Sequence, residues 1–189
     1  MTPPTETLRL LAIDGSPTGG GRTLTVLRAV LAAAQQAGAQ TSERSLATTT
    51  AETLDEVIAA ANQADGLVIG SPIYRASFAG PLKLLLDRTP RGMWGEAEAP
   101  LQGKPVVIVA TGASLHHFLA LNDFRNVLAN FFAAHVLPSG LYVPREAFAT
   151  DSTLVEPYAT QAALQGSALV ELATLLRSST TLRSLTPQA

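Results

Sequence analysis

The chain has 189 residues, no cysteine, 47% hydrophobic and 15% charged residues, and a formal net charge of −2. That length fits one domain with a sizeable core. The missing cysteines exclude disulfides, thiolate metal centres and cysteine nucleophiles, and a near-neutral chain without a basic run speaks against nucleic acid as a partner.

No apolar run nears the roughly 20 residues that cross a bilayer, so no membrane role is expected. Met1 to Glu6 lacks the basic-then-apolar pattern of a secretory leader, which makes the cytoplasm the expected compartment. Sparse charge on so apolar a chain points to faces buried between subunits.

Leu8 to Ile13 predicts a first strand, and Thr23 to Ala37 a helix with Leu24, Leu27, Val30 and Leu31 at helical spacing. Gly38 supplies that helix's stop. A weak second strand follows at Thr41 to Leu46, then a helix near Leu54 to Ala64. Gly66 to Gly70 does not alternate and reads as a third strand buried on both faces. Gly80-Pro81 opens a helix through Leu82, Leu85 and Leu86, with proline at a favoured early position. Pro105 to Ala110 is a fourth strand, Phe118 to Ala133 a helix, Val136 to Val143 an interrupted fifth strand and Leu154 to Leu176 a last helix. Residues 1–7 and 178–189 are expected to be flexible ends of a single domain over residues 1–189.

Strands alternating with helices imply a parallel, doubly wound sheet with right-handed crossovers. Ligands of such sheets sit beyond the carboxyl ends of the strands, where the strand order reverses. Three segments rich in Gly, Ser, Thr and Pro lie at carboxyl ends here: Gly15 to Thr23, Ser71 to Phe78 and Thr111 to His117. In the first, an apolar strand drops into a Gly/Ser/Thr loop and emerges in a helix. That order presents unpaired amides, hydroxyls and a helix dipole to one point, which suits a phosphate. The loop has neither the Gly-Lys-Ser/Thr of a nucleotide-hydrolysing loop nor G-x-G-x-x-G, and no lysine stands ready for a triphosphate, so a monophosphate is expected. A plain turn, with Ser16 and Thr23 merely capping the helix, is the competing reading.

Gly15-Ser16-Pro17 with Thr23, Ala64 to Lys83 around Ser71-Pro72-Ile73-Tyr74-Arg75, and Leu101 to His117 around Thr111-Gly112 together resemble the NAD(P)H-dependent FMN reductases, especially the sulfonate-utilisation type. The resemblance spans about Leu10 to Val143 and implies a flavodoxin-like α/β fold. Its five-stranded parallel sheet would run 2-1-3-4-5, with helices on both faces. It also implies FMN as cofactor, NADPH or NADH as hydride donor, and assembly as a homodimer or homotetramer. A flavin-dependent monooxygenase is an implied electron acceptor, beside free flavin or a small oxidant. By position, Ser16, Arg22 and Thr23 would hold the FMN phosphate. Pro72, Ile73 and Tyr74 would lie along the ring and ribityl chain. Thr111, Gly112 and Ala113 would meet the pyrimidine edge, where fixed N–H donors stabilise developing charge. Arg75 matches a basic position that would meet an anionic nicotinamide phosphate, or serve as a solvated or intersubunit ion pair. No side-chain acid or base is needed for hydride transfer, since the cofactor carries the redox chemistry.

Rival readings are a quinone, azo or metal-ion reductase of the same fold, and a flavodoxin-type electron carrier. His116 and His117, adjacent on a helix, point apart and suit a capping or interface role better than a shared metal. Asp14 would repel a phosphate, so its side chain is expected to turn away and accept backbone N–H bonds.

Four departures stand out. Gly21 and Ala113 replace a family Ser and a family Gly. The segment Arg91 to Pro100, with Trp94, is roughly seven residues longer, and reads as a lid over the ring, a subunit contact or a docking element. The helix from Leu119 to Arg125 lacks the inserted Tyr that widens the sulfonate-type helix into a π-bulge. A regular helix, and an FMN retained as a prosthetic group, are therefore expected.

Overall fold

The computed structural model describes residues 6–188. The expected flexible residues 1–5 and Ala189 lie outside the described residues. The parallel strands are β1 (Arg9–Asp14), β2 (Gln40–Ser45), β3 (Gly66–Tyr74), β5 (Pro105–Gly112), β6 (His135–Val136) and β7 (Leu141–Pro144). They run in the order β2-β1-β3-β5-β6, and β7 also pairs with β5. The fifth position of the 2-1-3-4-5 sheet is thus filled by β6 and β7 in turn. Between them Pro138 withholds an amide, and Ser139 (φ 69°) and Gly140 (φ 38°) turn the chain through left-handed backbone. A seventh strand, β4 (Ser77–Phe78), is a hairpin extension of β3.

Strand alternation sends side chains to two layers. Leu10, Ala12, Val68, Val107 and Val109 face α1 (Arg22–Gln36) and α5 (Tyr158–Ser178). Leu11, Ile13, Leu67, Ile69, Val106 and Ile108 face α2 (Ala51–Gln63), α3 (Gly80–Arg88) and α4 (Ala120–Asn126). Both sheet faces are covered, which is why the central strands read as apolar runs without alternation. The two helical layers meet the sheet differently. On one side α5 crosses α1 so closely that a methyl group on Gly166 would sit 2.2 Å from the Val30 carbonyl oxygen. On the other, Phe124 and Phe78 stack at 5.5 Å in a tilted pair that ties α4 to the β4 hairpin.

Two expectations need correcting. The helix after the histidines is not regular. A 3₁₀ turn (Leu115–His117) leads into α4, and α4 runs into a π-helical segment, Val127–Phe131. Phe124, Leu128 and Phe132 all face the core, at a four-residue spacing that also keeps them on one side of an unbroken helix. With the regular helix goes the ground for expecting a retained flavin. The tail also does not trail free. Beyond α6 (Thr180–Arg183), Gln102 Nε2 donates to the Leu185 carbonyl (2.9 Å), Gln188 N–H to the Asn130 carbonyl (3.1 Å), and Pro187 is buried.

Candidate functional site

The strand order reverses at β1, between β2 and β3, and a cleft opens at the carboxyl ends there. Its cavity measures about 390 Å³ and is lined by Ser16, Arg22, Thr23, Pro72, Ile73, Tyr74, Thr111, Gly112 and Ala113. All three strand-end loops therefore converge. Arg75 is absent from the lining: it turns the β3–β4 hairpin, exposed, with φ 52°, followed by Ala76 at 65°. Successive left-handed residues match the twist of a two-residue hairpin, although each costs about 1–2 kcal/mol without glycine. That turn aims the end of β3 so that Tyr74 stands at the cleft mouth, 54% exposed.

The floor is an uncapped helix head. Gly19 (φ 64°) and Gly20 (φ 66°) swing the loop through left-handed backbone into Gly21, which caps α1 without a side-chain hydrogen bond. The first helical bond runs from Thr25 N–H to the Gly21 carbonyl at 3.1 Å. Hence the amides of Arg22, Thr23 and Leu24 have no acceptor within the helix, and no acidic residue sits in the first turn. The Arg22 guanidinium is 3.6 Å from the Asp151 carboxylate and 5.9 Å from the centre of the Phe148 ring. Behind the loop, Ser16 Oγ and Thr18 Oγ1 lie 3.2 Å apart.

One buried contact locks two walls together. The hydroxyls of Thr23 and Thr111 are 2.8 Å apart, linking α1 to the end of β5. A second fixes the third loop: Tyr142 Oη donates to the Ser114 carbonyl at 2.7 Å. It fills the space beside Gly112, where a Cβ would fall 1.9 Å from that oxygen. Burial raises the Tyr142 phenol above its ordinary pKa, so it stays a donor. Asp14 turns away from the cleft as expected: it lies outside the lining, and its Oδ1 accepts the Ser16 N–H at 3.0 Å.

Thr18, Gly21, Arg145 and Asp151 also line the cavity. Arg145 follows Pro144 at the carboxyl end of β7, so the strand-end rule that found the other loops could have found it. Asp151 had no such signal. It belongs to the hairpin of β8 (Phe148–Thr150) and β9 (Thr153–Leu154), which reaches α1 through Thr25 Oγ1 donating to the Asp151 carbonyl (2.7 Å). His116 Nδ1 pairs with Ser114 Oγ at 2.9 Å, and His117 is exposed.

A larger cavity, about 510 Å³, lies elsewhere and shares no lining residue with the cleft. It sits between the last turn of α3, the Arg91 to Glu96 segment and the π-helical turn. Arg91 is sandwiched there, 4.9 Å from the Trp94 ring and 5.7 Å from Phe131. Trp94, 77% exposed, is thus no lid over the cleft. This second cavity has neither a helix head nor a strand carboxyl end, and its cations Lys83 and Arg91 stand beside the carboxylates of Asp87 and Glu96.

A doubly wound parallel sheet with an anion seat at its reversal point defines the flavodoxin-like class, and an archaeal flavodoxin superposes with a TM-score of 0.62 at 13% identity. Within that class, the chain belongs to the NADPH-dependent FMN reductase family, which matches residues 8–148. A similar protein is the NADH-dependent FMN reductase SfnF of Pseudomonas putida, 45% identical over 98 residues, or 52% of this chain and 48% of that protein. The SfnF of Pseudomonas fluorescens is 31% identical over 167 residues, covering 79% of this chain and 83% of its own length. The apo crystal structure of the NADH:FMN oxidoreductase EMOB superposes with a TM-score of 0.71 at 27% identity, over 95% of both chains. The matched stretch spans about half of the P. putida protein, and 42% of an Escherichia coli FMN reductase (NADPH) that is 37% identical.

Proposed function

We propose that this chain is an NAD(P)H-dependent FMN reductase. The observation that carries it is the meeting of three strand-end loops over the unpaired amides of Arg22, Thr23 and Leu24, with Arg22 and Arg145 flanking them. The residues fit the cofactor. A cleft of about 390 Å³ falls within the range of small-molecule sites, and an anion seat at one end with an apolar wall beside it suits a flavin monophosphate. Arg22, Thr23 and Ser16 would hold the phosphate; Pro72, Ile73 and Tyr74 would line the ring and ribityl chain; Thr111, Gly112 and Ala113 would meet the ring edge.

FMN held there would supply the redox chemistry, hydride acceptance from a nicotinamide and two-electron delivery to an oxidant. The chain's part is positional. The Thr23–Thr111 contact fixes the helix head against the ring-edge loop, and Tyr142 anchors that loop by the Ser114 carbonyl. Tyr74, exposed at the cleft mouth, would shield one side of the ring. Arg75, on its exposed turn, is placed to meet an anionic group arriving from solvent. The acceptor would be free flavin, a partner monooxygenase or a small oxidant. Exposed Leu84, Leu115, Phe118, Leu119 and Phe131 support assembly as a homodimer or homotetramer. Among the described residues no helix is long and apolar enough to cross a membrane.

The test is anaerobic titration of the FMN-loaded protein with NADH and NADPH in turn. Bleaching of the visible flavin absorbance is expected, and Arg22→Ala should weaken FMN binding about tenfold while leaving riboflavin binding alone. FMN binding without bleaching by either nicotinamide would refute the reductase and favour an electron carrier.

A further inference from the structure

Among the described residues, Asp14 is a fully buried carboxyl beside the cleft that the proposed chemistry leaves unused. It ends β1, is 0% exposed, and makes a single side-chain hydrogen bond, from Ser16 N–H to Oδ1. Its other oxygen, Oδ2, is buried with no partner. The charged groups facing it come from two elements, Arg28 on α1 and Glu43 on β2. Arg28 is no counter-ion for it, because Glu43 already holds that guanidinium through two contacts, at 2.9 and 2.6 Å. On the β3 side its register partner is Gly70, which has no side chain to offer. A carboxylate in this position is a buried charge with one of its two oxygens unpartnered, which disfavours the ionised form.

We infer that Asp14 couples a proton to anion binding in the adjacent loop: the seat takes a phosphate tightly when Asp14 is protonated and loosely when it is ionised. This rests on the FMN reading of the site. The physical link is short, since the loop amide that Asp14 holds, Ser16 N–H, belongs to the same turn that lines the cleft. Burial already lifts the Asp14 carboxyl above its ordinary value, with Glu43 adding to the lift. A phosphate dianion on the helix head adds like charge and lifts it further. By linkage the proton strengthens the phosphate as much as the phosphate strengthens the proton. Flavin retention then depends on pH: held in acid, exchanged in base.

The experiment compares wild type with Asp14→Asn, which keeps the Oδ1 acceptor but cannot ionise. FMN affinity is measured from about pH 5.5 to 8.5, with riboflavin as the phosphate-free ligand. The second ionisation of the FMN phosphate is common to both proteins and cancels in their ratio. Relative to Asp14→Asn, wild-type affinity for FMN should fall about tenfold for each unit by which the phosphate lifts the carboxyl. Riboflavin affinity should show no such divergence. Calorimetry of the wild type across the same pH range, in two buffers of different ionisation enthalpy, should show proton uptake with FMN beyond what the phosphate's own ionisation accounts for, and none with riboflavin; this arm does not depend on the variant folding. Superimposable FMN profiles for the two proteins, or no such excess proton uptake by the wild type, would overturn the inference while leaving the flavin site intact. No FMN binding by either protein at any pH would overturn the site reading itself, and the inference with it.

Discussion

Gly166 lies where α5 crosses α1, and Gly166→Ala separates two opposing effects cleanly. Alanine in a helix interior gains about 1 kcal/mol over glycine in intrinsic propensity. Against that, the new methyl would stand 2.2 Å from the Val30 carbonyl oxygen, 3.1 Å from the Val30 carbonyl carbon and 3.0 Å from Ala33 Cβ. The obstructing atoms are mostly backbone, so no rotamer change relieves the clash and the helices must part by about 1 Å. The contacts at risk are those among Leu27, Val30, Ala34, Ala162, Leu169 and Ala173. Overpacking of this kind costs about 3 kcal/mol, which leaves a net loss of about 2. For a chain of this size the melting midpoint should fall by roughly 4–8 °C. Because α1 carries Arg22 and Thr23 into the cleft, FMN affinity should fall as well. Urea titration and thermal unfolding read the first effect, flavin titration the second. An unchanged or raised midpoint would refute the reasoning, because it would mean that propensity outweighs the backbone clash.

Two further outcomes follow from single groups. Tyr142→Phe removes the donor to the Ser114 carbonyl, and should cost about 1 kcal/mol of stability and loosen FMN several-fold; urea and flavin titrations check it, and unchanged flavin affinity would show that the 112–114 loop does not need this anchor. Lys104 donates to the Ala61 and Asn62 carbonyls (2.7 and 2.9 Å) at the end of α2, yet burial lowers its pKa to about 8. The unfolded chain then holds this proton above pH 8 while the folded one releases it, so the group makes stability rise from about pH 8 towards the ordinary lysine value. Lys104→Met should flatten that rise relative to wild type, and parallel urea-midpoint curves across the window would contradict the buried-lysine account.

Periodicity and punctuation made much of this protein legible before any coordinates. Unbroken apolar runs at Leu10 to Ile13, Gly66 to Gly70 and Pro105 to Ala110 call for burial on both faces, which a parallel sheet between helical layers provides. From that constraint alone the ligand end of the sheet follows, and nine of the ten expected site residues line one cleft. Arg75 escaped because sequence neighbours in a hairpin share a turn without sharing a direction.

Tertiary structure decided what depends on partners distant in sequence. The helix after β5 widens at Val127–Phe131, yet Phe124, Leu128 and Phe132 repeat every fourth residue as they would on a regular helix, so its own pattern does not reveal the irregularity. The Trp94 segment reads from sequence as a subunit contact, a lid over the ring or a docking element, and Arg91, set between the Trp94 and Phe131 rings, places it at a second cavity. Asp151 joins the cleft through a hairpin more than a hundred residues from the loop it faces. Local sequence determined the elements and the chemistry at their ends, because backbone preference and burial period act over a few residues. The identity of each element's neighbours was decided by packing, which acts across the whole chain.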